Sequence, residues 1–367
     1  MKNNITYEEI APFVFVTKLA GFEHSEYIQP FATKEQKNES DIPMVQGKNI
    51  RNGNFVEKYD WYVKKEISDS LVRSILNKRC ILIPYVGSNL GEVGIFPNMY
   101  RCHLASNVAK VELLSDNYLL DYMKYYLQSP IGQSYLFQGK QGSSQPNITM
   151  DSIRKTMIIK RTVEEQAKIV KVLKSMEDQI DRNNKMVHKL QVLGKSIYCK
   201  NIKYSDFVKV ENISKITTGK EDANHSTENG KFKFFTCSDE ILSCDDFKFE
   251  GKSILVAGNG NFNVKYYDGK FNAYQRTYVI KNDEIIGNLY YTLLFNTELF
   301  TKKANGSIIK FITINMLNNI DVPKFNDETN DVLNRILEQI NSINSETDNL
   351  LELKSKLLPL LINQQLI

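Results

Sequence analysis

The chain has 367 residues, 42% hydrophobic and 25% charged, with a formal net charge of +4. That is the composition of an ordinary soluble protein with room for two or more domains of roughly 100–200 residues each. It excludes a protein built on membrane-spanning helices, since no apolar run approaches the roughly 18–20 residues a span needs. The charge is too small to identify a nucleic-acid binder by itself. The N-terminus, MKNNITYEEIAPFVFV, carries acids and a proline where a signal peptide has a basic start and a clean apolar stretch, so a cytoplasmic protein is expected. The cysteines (Cys80, Cys102, Cys199, Cys237 and Cys244) form no CxxC pair. With four scattered histidines they offer no zinc spacing, and no metal site is expected.

In chain order, the first regular signal is CILIPYVGSNLGEVGIF (Cys80 to Phe96), an apolar strand, a Gly/Ser/Asn turn and a second strand. A helical stretch follows from Asn117 to Leu127. A Gly-Ser loop leads from there into a long helix starting near Thr162, an N-cap candidate with Glu164 and Glu165 in the first turn, where negative charge suits the helix dipole. Its apolar seam runs Ile169, Leu173, Met176, Ile180, Asn183, Val187, Leu190, Gly194 and Ile197, in steps of four and three. That is the seven-residue period of a coiled coil, and over residues 163–198 it predicts a helix of roughly 54 Å.

ILVAGNGNFNVKYYDGKFNAY (Ile254 to Tyr274) then reads as a second strand–turn–strand segment with Asn259-Gly260 and Asp268-Gly269 as turn signals, and Ile285 to Phe295 as a helix. A second long helix starts at Asp327-Glu328. Its seam is Leu333, Ile336 or Leu337, Ile340, Ile343, Thr347, Leu350, Leu353, Leu357 and Leu361, with Pro359 expected to end or kink it.

The two halves repeat each other. QGSSQPNITMDSIRKTMIIKRTVEEQAKIVKVL (Gln141 to Leu173) aligns without a gap on NGSIIKFITINMLNNIDVPKFNDETNDVLNRIL (Asn305 to Leu337), 164 residues on. Gly142-Ser143 falls on Gly306-Ser307, Ile148-Thr149 on Ile312-Thr313, and Asn183 in the first seam on Thr347 in the second. A solenoid period runs to roughly 20–50 residues, so this longer one implies two copies of a domain-plus-helix unit, and two similar units imply a target with two halves. The expected fold is mixed α/β (α+β), with two globular domains related by an internal repeat and joined by two long helices. The domains would span residues 1–150 and 205–325, and the helices 151–204 and 326–367. Residues 151–200 carry twelve basic and six acidic side chains and residues 326–367 three and seven, which favours pairing of unlike helices.

Catalytic signatures fail on inspection. Gly258-Asn259-Gly260 is too short for a dinucleotide loop and precedes a hairpin. There is no GxxxxGK[ST] and no Asn-Pro-Pro-Tyr-like tetrapeptide such as adenine methyltransferases carry. Glu250-Gly251-Lys252 with Asp245 and Asp246 upstream reads as a charged turn, not a nuclease site, and His24, His103, His188 and His225 support no nucleophilic triad. What remains is a binding surface of the side chains that read DNA: Arg on guanine, Asn or Gln on adenine, Ser or Lys on phosphate. In the first half the candidates are Arg51, Asn52, Asn54, Ser88, Asn89, Arg101, Gln141, Ser143, Ser144, Gln145 and Asn147. In the second they are Lys220, Asn259, Asn261, Asn263, Gln275, Arg276 and Lys310.

VTKLAGFEHSEYI (Val16 to Ile28), GSSQPNITMDSIRKTMI (Gly142 to Ile158) and TVEEQAKIVKVLKSMEDQIDRNNKMV (Thr162 to Val187) resemble segments of the specificity (S, or HsdS) subunit of type I restriction–modification systems. The second copy departs from that pattern: Lys310-Phe311 stands where Pro146-Asn147 stood, and Glu328-Thr329-Asn330 replaces Glu164-Glu165-Gln166. The resemblance implies two target-recognition domains, one per half of a bipartite double-stranded DNA site, and two conserved helices packed as an antiparallel coiled coil that sets the spacing. It implies methyltransferase (M) subunits and translocase–nuclease (R) subunits as partners. S-adenosylmethionine would sit on the former and ATP and Mg²⁺ on the latter, leaving no cofactor and no catalysis on this chain. A protein-docking adaptor built on a coiled coil is the alternative, motivated by the weak charge of each globular half. A fragment of a fused single-chain enzyme is a third, disfavoured by the lack of any catalytic segment.

Overall fold

A computed structural model describes residues 6–98, 100–138, 147–303 and 311–363. The chain divides into two compact units, Met1–Glu177 with Glu352–Ile367, and Asp178–Leu351.

In the first unit a four-stranded antiparallel sheet has the order Val14–Lys18, Val108–Leu113, Cys80–Pro84, Gly94–Phe96. The apolar run Cys80–Pro84 is buried throughout because successive side chains face two different cores. Ile81 and Ile83 pack with Tyr122, Met123 and Tyr126 of the helix Leu120–Gln128. Cys80 and Leu82 face the other way, toward a second four-stranded sheet in the order Tyr62–Val63, Ile42–Val45, Cys102–Leu104, Ile75–Leu76. In that sheet the middle pair is parallel and the flanking pairs antiparallel. A two-stranded ladder joins Tyr7–Glu9 to Met157–Ile159.

The second unit has the same strand order. Lys215–Thr218, Thr277–Lys281, Ser253–Ala257 and Val264–Tyr267 form the antiparallel sheet. Leu242–Cys244, Phe232–Phe235, Lys270–Ala273 and Phe249–Glu250 form the other, again with a parallel middle pair. Phe207–Lys209 pairs with Asp321–Pro323. Ile254 and Val256 face the core under the helix Ile286–Lys303, and Leu255 faces the aromatic core of Phe235 and Phe271. Thr149 and Thr313, 164 residues apart, both cap short helices, accepting from the amides of Ser152 (2.9 Å) and Met316 (3.2 Å).

The first long helix spans Val163–Asn201, longer than the 163–198 expected. Thr162 caps it: its hydroxyl accepts from the Glu165 amide (3.2 Å), and the Glu165 carboxylate accepts from the Thr162 amide (2.9 Å). The second spans Asp327–Ile362. Pro359 does not end it, because a proline so near the C-terminus removes one hydrogen bond while the helix runs on for only three residues. Within each unit the helices lie side by side in opposite directions. In the first, Ile169 and Leu173 share a core with Leu361 and Ile362, and the Arg161 guanidinium donates to the carbonyls of Leu361 (2.9 Å) and Ile362 (2.8 Å). In the second, Val187, Leu190 and Ile197 pack with the cluster of Leu333, Ile336, Leu337 and Ile340. There the buried Asn183 amide donates to the Thr347 hydroxyl at 3.2 Å.

Four expectations need correction. Leu353 is 45% exposed, because Lys354 takes the inward position. There it reaches Glu177 at 2.7 Å, an ion pair opposite in sense to the basic-to-acidic match of the two helices. The acids Glu338 and Asp348 meet Lys252 and Lys233 of the globular part instead. The helix expected from Asn117 starts at Leu120, because the Gln166 side chain holds the preceding backbone, donating to the Asn117 carbonyl (2.9 Å) and accepting from the Leu119 amide (2.8 Å). Finally, Asp268-Gly269 closes no hairpin: the strands on either side of it belong to different sheets.

Candidate nucleic-acid interface

In the first unit the loops at one end of the strands converge. Ile50–Arg51 and Asn54–Phe55 form a tight hairpin whose central residues, Asn52 (φ 50°) and Gly53 (φ 75°), are both left-handed, as the two-residue Asn-Gly turn requires. Gly53 has a second constraint, since a Cβ there would lie 2.3 Å from the Gln128 amide nitrogen. Its backbone N–H donates to Glu92 (3.0 Å), and the Asn89 amide donates to the Ile50 carbonyl (2.8 Å). The hairpin is thereby docked on the loop of Ser88 and Asn89, with Arg51, Asn52 and Asn54 left exposed. Beside this hairpin Lys48 is paired with Asp60, and burial, reinforced by Lys58 and Arg51, lowers its ammonium below its ordinary value.

Asn147 is exposed at the same end, and the next residue's amide bonds the Tyr85 carbonyl at 3.0 Å. The Ser88 hydroxyl donates to the Asn89 side-chain amide oxygen at 2.9 Å, so both ends of the Asn89 amide are engaged within this loop and hairpin. Arg101 is elsewhere: at the start of Cys102–Leu104 it is held by Asp69 (2.6 Å) and Ser68 (2.9 Å), away from the hairpin. Gln141, Ser143, Ser144, Gln145 and Lys310 lie outside the described residues.

Sequence reasoning passed over a cleft of about 390 Å³ in this unit, lined by His24, Gln29, Met44, Gln46, Trp61 and Asn107 among others. The Asn107 side-chain oxygen accepts from the Gly47 amide (3.1 Å), and Lys18 lies 4.6 Å over the Tyr85 ring. The exposed aromatics Phe22, Tyr27 and Phe31 belong to the same segment as His24 and Gln29.

The second unit gathers its candidates differently. Asn259, Gln275 and Arg276 line one cleft of about 820 Å³ with Tyr278, Phe311 and Thr313. Gln275 and Arg276 are exposed, as is Phe311 at 61%. The Gln275 amide is steadied by Asp222 (2.9 Å), and the Tyr278 hydroxyl donates to the Ile312 carbonyl (2.6 Å). Lys220 is exposed beside them, its amide on the Ala273 carbonyl (3.0 Å). The preceding Gly219 is required, because a Cβ there would lie 2.2 Å from the Tyr274 carbonyl oxygen. Asn261 and Asn263 turn aside and donate to Asp239 at 3.3 and 2.9 Å.

The charged turn holds no acid–lysine site. Lys252 pairs with Glu338 at 2.5 Å, while Asp246 meets His225 at 2.7 Å. His225, Cys244 and Asp246 nevertheless come together, a grouping that their spacing in the sequence conceals.

These features define a class of two-unit mixed α/β proteins, in which each unit has the same strand order, a cleft with polar lining and a long helix leading out of it. Two stretches of the chain, residues 25–191 and 201–355, match the family described as Type I restriction modification DNA specificity domain. The chain belongs to this family. It is 37% identical over 140 residues to the type I restriction enzyme EcoDI specificity subunit of Escherichia coli, an alignment covering 37% of this chain and 32% of that protein. The matched stretch thus spans about a third of the relative's length. Its fold is similar to the crystal structure of the type I restriction–modification system S subunit from M. genitalium, with a TM-score of 0.61 at 15% identity, over 99% of this chain and 97% of that one. Among the described residues, no helix is long and apolar enough to cross a membrane.

Proposed function

We propose that this chain is the DNA-recognition subunit of a type I restriction–modification system, without catalytic chemistry of its own. The observation that carries the reading is the pair of family matches, one in each half, on two units of identical strand order. On this reading the two units are an internal repeat, with recognition domains over residues 1–150 and 205–325. Each reads one half of a gapped double-stranded site. The helices over residues 151–204 and 326–367 act as an antiparallel coiled-coil spacer that sets the number of unread base pairs and docks the methyltransferase subunits. Translocase–nuclease subunits join that complex for restriction, with S-adenosylmethionine, ATP and Mg²⁺ held by the partners. The two clefts differ in their side chains, so the site is asymmetric.

The test is binding of gapped duplexes by the chain with its methyltransferase partner. Arg276→Ala should cost about ten- to a hundredfold at one half-site, the worth of one bidentate base contact, and leave the other half unchanged. Binding should also fall steeply with salt, as phosphate contacts demand. Salt-independent binding with no sequence preference would favour the protein-docking adaptor.

A further inference from the structure

We infer that the second unit carries a site for a divalent first-row transition ion of the zinc class, formed by His225, Cys244 and Asp246. His225 ends a short 3-10 turn (Ala223–His225), Cys244 ends the strand Leu242–Cys244, and Asp246 follows two residues later. One donor atom from each lies within 4.8 Å of the other two. Metal–ligand bonds of about 2.0–2.3 Å in a tetrahedral site place donors roughly 3.3–3.8 Å apart, so the three need only small adjustments to close on one ion. His225 Nε2 and Asp246 Oδ1, now 2.7 Å apart, would separate slightly to admit it.

The donor types decide the ion. Imidazole, thiolate and carboxylate together suit zinc and its neighbours, whereas Mg²⁺ and Ca²⁺ take all-oxygen sets. The surroundings are those that orient metal ligands. A Glu221 carboxylate oxygen stands 3.4 Å behind His225 Nδ1, and the buried Asn272 amide donates to Asp246 Oδ1 at 3.1 Å. A histidine–carboxylate pair alone has no need of a buried thiol beside it. That thiol donates to the Asp246 backbone carbonyl at 3.1 Å. Ion binding would replace the thiol proton with a metal–sulfur bond and release the proton to solvent. His225 and Asp246 are partly exposed, so an ion can enter and a water can complete four-coordination. The ion would clip the turn holding Asp222, the residue that steadies Gln275, onto the neighbouring sheet.

The test is titration of the metal-stripped full-length chain with Co²⁺, followed by absorption. One equivalent should produce the thiolate-to-cobalt charge-transfer band and the strong visible bands of four-coordinate cobalt, and Zn²⁺ should abolish both. Cys244→Ser should remove the charge-transfer band, and Glu221→Gln should weaken Co²⁺ binding about 10- to 100-fold. Cys199→Ser and Cys237→Ser, at exposed and half-buried thiols, should leave the spectrum unchanged. If Cys244→Ser does not fold, the partly exposed His225→Gln supplies the same readout as loss of Co²⁺ affinity with the circular dichroism retained. No charge-transfer band, or a band that survives Cys244→Ser or His225→Gln, would overturn the inference. The readout involves no DNA, so its failure is separable from failure of the recognition reading.

Discussion

The two units share a strand order but hold their long helices by different chemistry. In the first, Glu177 is enclosed by Lys124 (2.8 Å), Lys354 (2.7 Å) and the Tyr125 hydroxyl (2.7 Å), with Lys124 and Tyr125 buried and Lys354 largely so. Burial pushes the Glu177 carboxyl up, but the two lysines outweigh it and hold the group below the usual range. The matching position in the second helix, 164 residues on, is Asn341, which makes surface contacts with the Asp268 backbone. Near the helix start the first unit uses Gln166, fully buried, whose side chain bonds Asn117, Leu119 and the Arg161 carbonyl. Its counterpart Asn330 is one methylene shorter. It donates to the Phe325 carbonyl (3.2 Å), and its oxygen has no partner among the described residues. The second unit compensates with Asn334, which bonds the Gly287 amide (2.8 Å) and the Glu284 carbonyl (2.7 Å). A duplicated plan therefore does not require duplicated contacts: each copy ties the backbone at the start of its shorter helix to the long helix through whichever residue reaches it.

The largest effect should separate the units at the ion cluster. Glu177→Ala leaves two lysine ammoniums without their carboxylate, one of them buried, and should destabilise the protein by about 3–5 kcal/mol. Asn341→Ala should cost no more than about 0.5 kcal/mol, both measured by chemical denaturation. The first difference is also pH-dependent. A carboxyl depressed on folding stabilises fully above its unfolded value of about 4.3 and loses that contribution as pH falls through its folded value. The gap between the wild type and Glu177→Gln in thermal melts should therefore close as pH drops below about 4. A gap that already closes well above pH 4 would show that the lysines do not hold the acid ionised.

A smaller effect should appear at the helix starts. Gln166→Ala removes three buried bonds and should cost about 2–3 kcal/mol, against about 1 kcal/mol for Asn330→Ala. Equal losses would mean that the two positions are not the alternatives described above. The smallest effect falls at the polar seam. A double-mutant cycle of Asn183→Ala and Thr347→Val should give a coupling of about 0.5–1.5 kcal/mol, and zero coupling would mean that their hydrogen bond adds nothing to stability.

Much of this was legible in the sequence. The seven-residue period located both helices, and the Thr162 cap marked the first start to the residue. Asn183 and Thr347 were visible as a pair from their offset alone and do meet. Hidden were contacts made by residues of ordinary local context. Nothing about Lys354 in a run of polar residues says that it, not Leu353, turns inward; a buried acid 177 positions earlier decides that. Gln46 and Asn107 come to one cleft from distant segments without a motif. Arg101 looked like a reading residue because arginine often is, but its guanidinium is taken up by Asp69 and Ser68. His225, Cys244 and Asp246 escaped because their separation matches no metal-binding spacing and the sheet alone unites them.

The most direct test of the account exchanges residues 205–325 for the corresponding segment of another family member and maps methylated bases in cells carrying this chain and its methyltransferase. The account predicts a gapped two-part motif in which one half changes and the other half and the gap length persist. A contiguous motif, or a change in both halves at once, would contradict the claim that each unit reads its own half of the site.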